Sequence, residues 1–185
     1  MWEEMKVCLH LADGFEEIEA ISVVDILRRA NIKVEMVSIM GRKEVVGAHQ
    51  ITVMADVLFG YVDYSQVDMI ILPGGGQGTK NMDEHAGLNK QITQFAADGK
   101  WIAAICAAPT ILGKLGLLEG KSATCYPGCE PQLKGADVSS LDSVILDGKI
   151  ITSRGPGTSL AFGLKIVEVL MGSEVANTLK TQMII

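Results

Sequence analysis

The stretch Trp101-Ile102-Ala103-Ala104-Ile105-Cys106-Ala107-Ala108-Pro109 decides the fold of this chain. Its five leading apolar residues predict a short buried strand, and a helical pattern follows the proline and runs to Leu115. A cysteine on the sharp turn between strand and helix is typical of a nucleophile elbow. The N–H groups of a helix start stabilise a thiolate, so we expect the pKa of Cys106 to fall from about 8.5 into the range of roughly 3.5 to 7.5. The alternative is a cysteine that only fills core space.

Length and charge exclude several classes of protein. The 185 residues are typical of one domain with a real core, and we predict a single domain over residues 1–185. The formal net charge is -6, and an acidic chain without a basic cluster argues against binding to nucleic acid or to anionic membranes. The sequence has no membrane-length apolar run and no signal-peptide pattern. With four cysteines in no dense framework, we expect a reduced, cytoplasmic protein.

Strands alternate with helices along the chain. The apolar patterns predict strands at 6–12, 32–40, 67–72 and 101–105, helices at 16–30, 88–97 and 159–171, hairpins at 45–54 and 144–152, and a last helix capped by Ser173. This alternation predicts a doubly wound, mostly parallel α/β sheet with helices on both faces. Binding sites in such sheets lie outside the carboxyl ends of the strands, so the loops 13–19, 73–78 and the Cys106 elbow should converge there.

Three glutamates crowd the first turn of the first predicted helix. Glu16, Glu17 and Glu19 would interact favourably with the helix dipole, which is sufficient reason for one or two of them. Glu19, however, lies in line with Val23 and Ile26 on the apolar stripe that faces the sheet. A carboxylate on that face should have a raised pKa and could share a proton with a neighbouring thiolate. Because Glu16 lies near the same face, spacing alone does not separate the two.

Two glycine-rich turns lie at the same predicted edge. The run Gly74–Gly76 lacks the flanking residues of the phosphate-binding motifs, so its glycines more plausibly let a backbone N–H approach a reacting oxygen. Together with the N–H of Ala107, such a group would form an oxyanion hole. The turn at 154–158 is best explained as a strand-to-helix connection, with Arg154 anchored to carboxylates or carbonyls.

The histidines argue against two hydrolase classes. His10, His49 and His85 all precede Cys106, and no His-x-Glu pattern follows it, so the Cys-His-Glu order of a glutamine amidotransferase cannot be assembled. Nor does a histidine directly follow Cys106, as it does in the related intracellular peptidases. We therefore expect each histidine to be a core or surface residue.

Two further cysteines lie on a predicted loop. Cys125 and Cys129 flank Pro127-Gly128, which breaks any helix between them. A structural zinc site needs four ligands, and no third or fourth ligand clusters nearby, so we predict no metal site.

Four motifs in order identify a family resemblance. They are Ala12-Asp13-Gly14-Phe15-Glu16-Glu17-Ile18-Glu19, Leu72-Pro73-Gly74-Gly75, Ala103-Ala104-Ile105-Cys106-Ala107-Ala108-Pro109 and Thr152-Ser153-Arg154-Gly155-Pro156-Gly157-Thr158. Together they resemble the DJ-one/ThiJ/PfpI superfamily, most closely the branch of the parkinsonism-associated protein deglycase and its bacterial relatives. The resemblance implies a flavodoxin-like fold, similar to that of class I glutamine amidotransferases, and a homodimer.

The resemblance also assigns roles to residues. It implies that Glu19, rather than Glu16, hydrogen-bonds Cys106, and that the N–H groups of Gly75 and Ala107 form the oxyanion hole. Many members convert 2-oxoaldehydes to hydroxy acids without glutathione, and their cysteine oxidises readily to a sulfinate. Deglycase, chaperone and thiamine-biosynthesis roles have also been attached to the family. No cofactor is implied.

One departure from the family concerns the loop after the elbow helix. Many members of this branch carry histidine where this chain has Tyr126, and a phenol is a poor base at neutral pH. The resemblance places this loop beside the mouth of the cysteine site. Cys125 or Cys129 could therefore resolve a sulfenate formed on Cys106 by forming a disulfide.

These observations predict an enzyme of the glutathione-independent glyoxalase type that converts methylglyoxal to lactate. The rival hypothesis is a cysteine-based oxidative-stress sensor or a protective, chaperone-like protein without turnover, and an intracellular peptidase is disfavoured. The predicted partners are an aldehyde substrate and a second copy of the chain. Leu58, Phe59 and Tyr61, apolar residues in an irregular stretch, give weak support to the homodimer.

Overall fold

A seven-stranded sheet forms the centre of the computed structural model, which describes residues 5–185. The strands are β1 (Lys6–Leu11), β2 (Lys33–Ser38), β3 (Glu44–Val46), β4 (Thr52–Met54), β5 (Val57–Leu58), β6 (Met69–Leu72), β7 (Trp101–Ile105), β8 (Val144–Asp147) and β9 (Ile150–Ser153). Their order in the main sheet is β5-β2-β1-β6-β7-β9-β8, and β3 and β4 form a separate hairpin. Strand β8 pairs antiparallel with β9, and the other neighbours in the main sheet pair parallel.

Helices cover both faces of this sheet. They are α1 (Glu17–Arg29), α2 (Gly76–Glu84), α3 (Ala86–Ala97), α4 (Pro109–Lys114), α5 (Ser159–Met171) and α6 (Ser173–Gln182), with short 3-10 turns at Phe59–Tyr61, Tyr64–Gln66, Glu130–Gln132 and Pro156–Thr158. The predicted doubly wound, flavodoxin-like α/β fold is thus confirmed. No helix within residues 5–185 combines the length and the apolar character needed to cross a membrane.

Alternate residues of the central strands feed two separate cores. In β6, Met69 and Ile71 join the core under α1, α5 and α6, whereas Ile70 and Leu72 join the core under α3 and α4. This division follows from the two-residue period of a strand. Because both faces are buried, the strand reads in sequence as a continuous apolar run.

The structure corrects the sequence-based elements in three places. Residues 76–78, predicted to be loop, begin helix α2, which has few apolar residues and buries Gly78, Thr79 and Met82. Ser173 begins α6 but does not cap it, because the residue before the first turn is Gly172 and no side-chain cap is present. The stretch at Leu58, predicted to be irregular, adds the edge strand β5 beside β2.

Both predicted hairpins are confirmed. In the first, Glu44 of β3 lies opposite Met54 of β4. In the second, β8 and β9 turn at Asp147-Gly148, where Gly148 adopts a φ of 60°. That left-handed conformation is the one an Asp-Gly hairpin turn requires.

Close packing between α1 and α5 gives a testable prediction. A Cβ atom at Gly163 would lie 2.8 Å from Cδ1 and 3.4 Å from Cβ of Ile26. We expect Gly163→Val to lower the free energy of unfolding by about 1 to 3 kcal/mol, because the branched side chain overpacks this contact. Urea denaturation followed by circular dichroism measures the change. Ala161→Val, on the exposed face of the same helix, is the control and should cost less than about 1 kcal/mol; equal losses in both variants would contradict the packing argument.

Candidate active site

Parallel pairing brings the ends of three strands together. Leu72 of β6 pairs with Ala104 of β7, and Ile105 of β7 pairs with Ser153 of β9. The residues that follow these strands therefore emerge at one edge of the sheet. The first turns of α1 reach the same edge, because the N–H of Glu16 donates to the carbonyl of Gly74 at 3.0 Å.

Cys106 occupies a strained elbow at this edge. Its φ is 65°, in the left-handed region that a residue with a side chain enters at a cost of about 1 to 3 kcal/mol. Two backbone hydrogen bonds hold it there: the N–H donates to the carbonyl of Ser153 at 3.0 Å, and the carbonyl accepts the N–H of Tyr126 at 2.8 Å. Helix α4 begins at Pro109, directly after the elbow. The predicted strand, turn and helix are thus confirmed.

Glu19 is fully buried next to this cysteine. Its Oε2 accepts the N–H of Gly74 at 2.7 Å, while its Oε1 has no nitrogen or oxygen partner within residues 5–185. A Cβ atom at Gly74 would lie 2.5 Å from Cβ of Cys106, 2.7 Å from Oε2 of Glu19 and 2.9 Å from Sγ of Cys106. Only a glycine at position 74 therefore leaves room for the carboxyl and the thiol to meet.

The pKa of Glu19 is raised to about 7. Burial is the largest cause, and hydrogen bonds with Cys106 and with the Gly74 N–H oppose it. The negative charge of Glu16 raises the pKa of Glu19 further. Near neutral pH the protonated and ionised forms of Glu19 are therefore both populated. The raised pKa expected for a carboxyl on the apolar stripe of α1 agrees with this value.

The pKa of Cys106 moves opposite to the expectation from the helix start. Burial, followed by the charge of Glu19 and a hydrogen bond to it, raises the pKa of the thiol to about 12, although the N–H groups of Gly75 and Ala107 lower it. The predicted fall in the pKa was wrong because burial disfavours the thiolate and the ionised carboxylate of Glu19 repels it. Once Glu19 is protonated this repulsion ends, and its O–H can donate to the sulfur. The two groups therefore titrate as one coupled pair.

Two backbone N–H groups face the sulfur. Those of Gly75 and Ala107 are the donors that lower the pKa of Cys106. Gly75 has a φ of 89°, and a Cβ atom there would collide with the carbonyl oxygen of Gly14 and lie 2.7 Å from the N–H nitrogen of Glu16. Position 75 must therefore be glycine for its amide to point at the sulfur. The structure thus brings together the two amides that the sequence analysis named.

Three further predicted site residues, Glu16, Arg154 and Tyr126, lie around the contact between Glu19 and Cys106. Glu16 is partly buried and lies outside the contact between Glu19 and Cys106. Arg154 has no ion pair or hydrogen bond with any residue of 5–185, so the prediction that it is anchored to carboxylates or carbonyls was wrong. Its charge lowers the pKa of Cys125. Tyr126 is half exposed, and its ring lies against Gly155.

The second pair of cysteines lies on the loop that is tied to the elbow. Cys125 is buried, and burial raises the pKa of its thiol to about 12. Cys129 is partly exposed, and burial also raises the pKa of its thiol. The hydrogen bond from the Tyr126 N–H to the Cys106 carbonyl connects this loop to the site. The resolving role of either thiol stays a prediction.

His49 is a surface residue, as expected, but the sequence did not indicate its pairing with Glu17 beside the site. Its Nδ1 lies 2.8 Å from Oε2 of Glu17 and 3.8 Å from Oε2 of Glu16, and its backbone N–H donates to Oε1 of Glu17 at 2.6 Å. The Glu17 hydrogen bond raises the pKa of His49. The pKa of Glu17 is lowered: burial would raise it, but the hydrogen bonds that Glu17 accepts, among them those from His49, outweigh burial. The ligand atoms of this trio lie within 4.8 Å of one another, so the predicted absence of a metal stays a prediction.

The other histidines lie away from the elbow. His10 is buried and hydrogen-bonds the hydroxyl of Tyr64 at 2.7 Å, and burial lowers its pKa to about 3. His85 precedes α3, where its Nδ1 accepts the N–H of Leu88 at 2.9 Å. Both agree with the expectation of structural or surface roles.

Fold and site together define a class of protein. It is the class of flavodoxin-like α/β proteins in which a cysteine on a nucleophile elbow contacts a buried carboxyl from the first helix. Comparison with family models identifies the particular family, because residues 5–169 match that of the DJ-1/PfpI family. The chain belongs to this family, as its four motifs predicted.

Individual relatives agree with this assignment. The chain is 42% identical to Drosophila melanogaster protein dj-1beta over 89% of this chain and 88% of the relative. It is 33% identical to the glutathione-independent glyoxalase DJ-1 of Schizosaccharomyces pombe, over 94% of this chain and 95% of the relative. It is 40% identical to Arabidopsis thaliana protein DJ-1 homolog B, of which it spans only 39% of the length. The structure of oxidized Toxoplasma gondii DJ-1 superposes with a TM-score of 0.92 at 36% identity, covering 97% of this chain and 98% of the other.

The pKa of Glu19 predicts a pH-dependent difference in stability. Because the folded-state pKa, about 7, exceeds the ordinary value of 4.5, the folded protein binds the extra proton between these values. The wild type should therefore lose stability relative to Glu19→Gln as pH rises from 4.5 to about 7, by at most about 1.4 kcal/mol per pH unit.

Urea titrations of both proteins at pH 5, 6, 7 and 8 measure this difference. Gln132→Ala, which changes an exposed residue of the loop beside the site and removes no titratable group, is the control and should keep a constant difference from the wild type. A Glu19→Gln difference that does not change with pH would refute the coupled titration.

Proposed function

We propose that this protein is a glutathione-independent glyoxalase or deglycase-type enzyme that acts on 2-oxoaldehydes and converts methylglyoxal to lactate. The observation that carries the proposal is the buried contact between Cys106 and Glu19, in which both charge states of the carboxyl are populated near neutral pH. This reaction needs a nucleophile and a group that both accepts and returns a proton, and the contact supplies them at one place.

The first half of the reaction forms a covalent adduct. Ionised Glu19 first accepts the proton of the Cys106 thiol, whose pKa is raised, and later returns this proton to the oxygen of the adduct. The sulfur attacks the aldehyde carbon, a C–S bond forms, and the carbonyl π electrons move to the oxygen. The amides of Gly75 and Ala107, which face the sulfur, would stabilise the resulting oxyanion. Protonation of that oxygen gives a hemithioacetal.

The second half moves one proton between neighbouring carbons. Ionised Glu19 removes the proton from the former aldehyde carbon, which gives an enediolate, and protonated Glu19 returns it to the adjacent carbon. The hydroxyl proton of the first carbon moves to the oxygen of the second, which leaves a thioester. The first carbon is thereby oxidised and the second reduced, so no external redox partner is required. Water then cleaves the thioester, releases lactate and regenerates the thiol. A pKa near 7 allows Glu19 to perform both transfers.

The comparisons support this chemistry at the level of the family. The Schizosaccharomyces pombe relative carries glyoxalase in its name, and the chain covers 95% of it. Steps that other members of the branch assign to a histidine cannot be transferred here, since Tyr126 holds that place. The proposal therefore assigns no base besides Glu19.

A cysteine-based sensor or protective protein without turnover is the second candidate. The strained elbow and its tie to a loop that carries two further thiols favour it. Both candidates use the same cysteine, and only measured turnover separates them. The predicted cytoplasmic location also remains a proposal, supported by four cysteines that are all free.

We also propose a homodimer. Exposed apolar side chains cluster on α1 and on the β3–β4 hairpin: Ile18 and Ile21 on the helix, Ile51 beside the hairpin and Met54 in it. They support a self-association surface better than Leu58, Phe59 and Tyr61 do. Of those three, Tyr61 is highly exposed, whereas Phe59 packs its ring on His85.

Turnover of methylglyoxal tests the enzyme proposal. Purified protein should form lactate without glutathione, Cys106→Ala should abolish the activity, and Glu19→Gln should lower kcat at least about 100-fold with an unchanged far-UV dichroism spectrum. Glu16→Gln is the matched control, because Glu16 lies in the same helical turn outside the contact, and it should keep most of the activity. Full activity in Glu19→Gln together with lost activity in Glu16→Gln would show that Glu16, not Glu19, transfers the proton. An inactive wild type would favour the sensor hypothesis.

Light scattering tests the homodimer. At micromolar concentration we expect about twice the 19.8 kDa mass of the chain. The double variant Ile21→Glu/Met54→Glu should shift the protein toward the monomer, because burying two charges in an apolar interface is unfavourable. Leu141→Glu, at a highly exposed residue elsewhere, serves as control. A wild type of single-chain mass would reject the proposal.

A further inference from the structure

A cavity of about 540 Å³ opens beside the elbow. Ala107, whose amide faces the Cys106 sulfur, and Gly76, which follows the other facing amide, form its inner wall. Helices α2 and α4 and residues 129–134 form its sides. A cavity of this size is typical of small-molecule sites. A ligand bound here would contact Ala107, the residue that directly follows the reacting cysteine.

The charge of this cavity is opposite to that of the protein. Lys80, Lys114, Lys134 and Asp83 line it, which gives a formal charge of +3 − 1 = +2 in a chain of net charge -6. Lys114 pairs with Asp83 at 2.6 Å. Lys80 and Lys134 are exposed and have no carboxylate partner among residues 5–185. Two uncompensated ammonium groups therefore face the same space.

A buried hydroxyl in the same wall also lacks a partner. Thr79 is only 7% exposed, and its Oγ1 forms no hydrogen bond within the described part of the chain. Leaving a buried hydroxyl without a hydrogen bond is unfavourable. Its neighbour across the cavity, Thr110, already donates to the carbonyl of Ala107 at 2.7 Å. Because the Thr79 Oγ1 has almost no accessible surface, it lies beneath the cavity wall and does not reach a ligand in the cavity.

We propose that this cavity binds the phosphate group of a small phosphorylated aldehyde whose carbonyl carbon reaches Cys106. A phosphate monoester carries a charge near −2 at neutral pH, which matches the cavity charge of +2, and its oxygens would accept hydrogen bonds from Lys80 and Lys134. The role of the aldehyde rests on the proposed function, whereas the phosphate site does not.

Binding of inorganic phosphate tests the site without any turnover. Isothermal titration calorimetry of the wild type should give saturable binding of one phosphate per chain, and acetate, a monoanion, should bind more weakly. Lys80→Gln/Lys134→Gln should raise the dissociation constant for phosphate about tenfold. Lys33→Gln/Lys90→Gln removes the same charge from exposed positions away from the cavity and should leave it within about twofold. Equal weakening in both double variants, or no saturable binding in the wild type, would overturn the proposal.

Thr79→Val distinguishes a binding hydroxyl from a merely structural one. Replacing an unpaired buried hydroxyl by a methyl group should leave the melting temperature unchanged or raise it. The same change should leave phosphate binding within about twofold, because the hydroxyl has almost no accessible surface in the cavity. Clearly weaker phosphate binding in Thr79→Val would contradict this placement of the hydroxyl.

Protection of Cys106 tests the link to the elbow. Glycolaldehyde phosphate should protect Cys106 from iodoacetamide at concentrations about tenfold lower than glycolaldehyde, and Lys80→Gln/Lys134→Gln should remove that advantage. Equal protection by both aldehydes in the wild type would show that a phosphate in the cavity does not help an aldehyde to reach Cys106, and would contradict the proposed link. Absent methylglyoxal turnover with phosphate binding intact would instead reject the proposed function and keep the phosphate site.

Discussion

The approach of the Glu19 carboxyl to the Cys106 thiol across Gly74 is the constraint on which the rest of the site depends. Two groups that would each carry a negative charge are buried at one place, and the charge of one raises the pKa of the other. Such an arrangement is tolerable only when a proton is shared. This shared proton requires several other features of the site: a glycine at position 74, the amides of Gly75 and Ala107, and the position of α1.

Much of this could be predicted from the sequence. Continuous apolar runs located the central strands, because a sheet covered on both faces buries every residue. The helical stripe placed Glu19 on the face toward the sheet, and the order of strand, cysteine and proline located the elbow. What spacing left open, the choice between Glu16 and Glu19, was decided by the resemblance, and in the structure Glu19 is the one beside the sulfur.

The remaining features depend on contacts that local patterns do not encode. Helix α2 has too few apolar residues to show a clear helical periodicity, so the sequence predicts a loop at its start. The pairing of His49 with Glu17 spans 32 residues and follows from the way the β3–β4 hairpin folds back on α1. The pKa of Cys106 is raised rather than lowered, because burial and the neighbouring Glu19 outweigh the N–H groups at the helix start. The spacing of Lys80 and Lys134 in the sequence does not indicate that they line one cavity.

The left-handed backbone of Cys106 has a consequence for how this chain can change over time. Glycine would adopt that conformation without strain, so the residue that provides the reactive sulfur is less favourable for folding than the residue that would abolish it. Selection for chemistry and selection for a stable fold therefore act against each other at this position. A lineage that no longer needed the sulfur would gain stability by losing it.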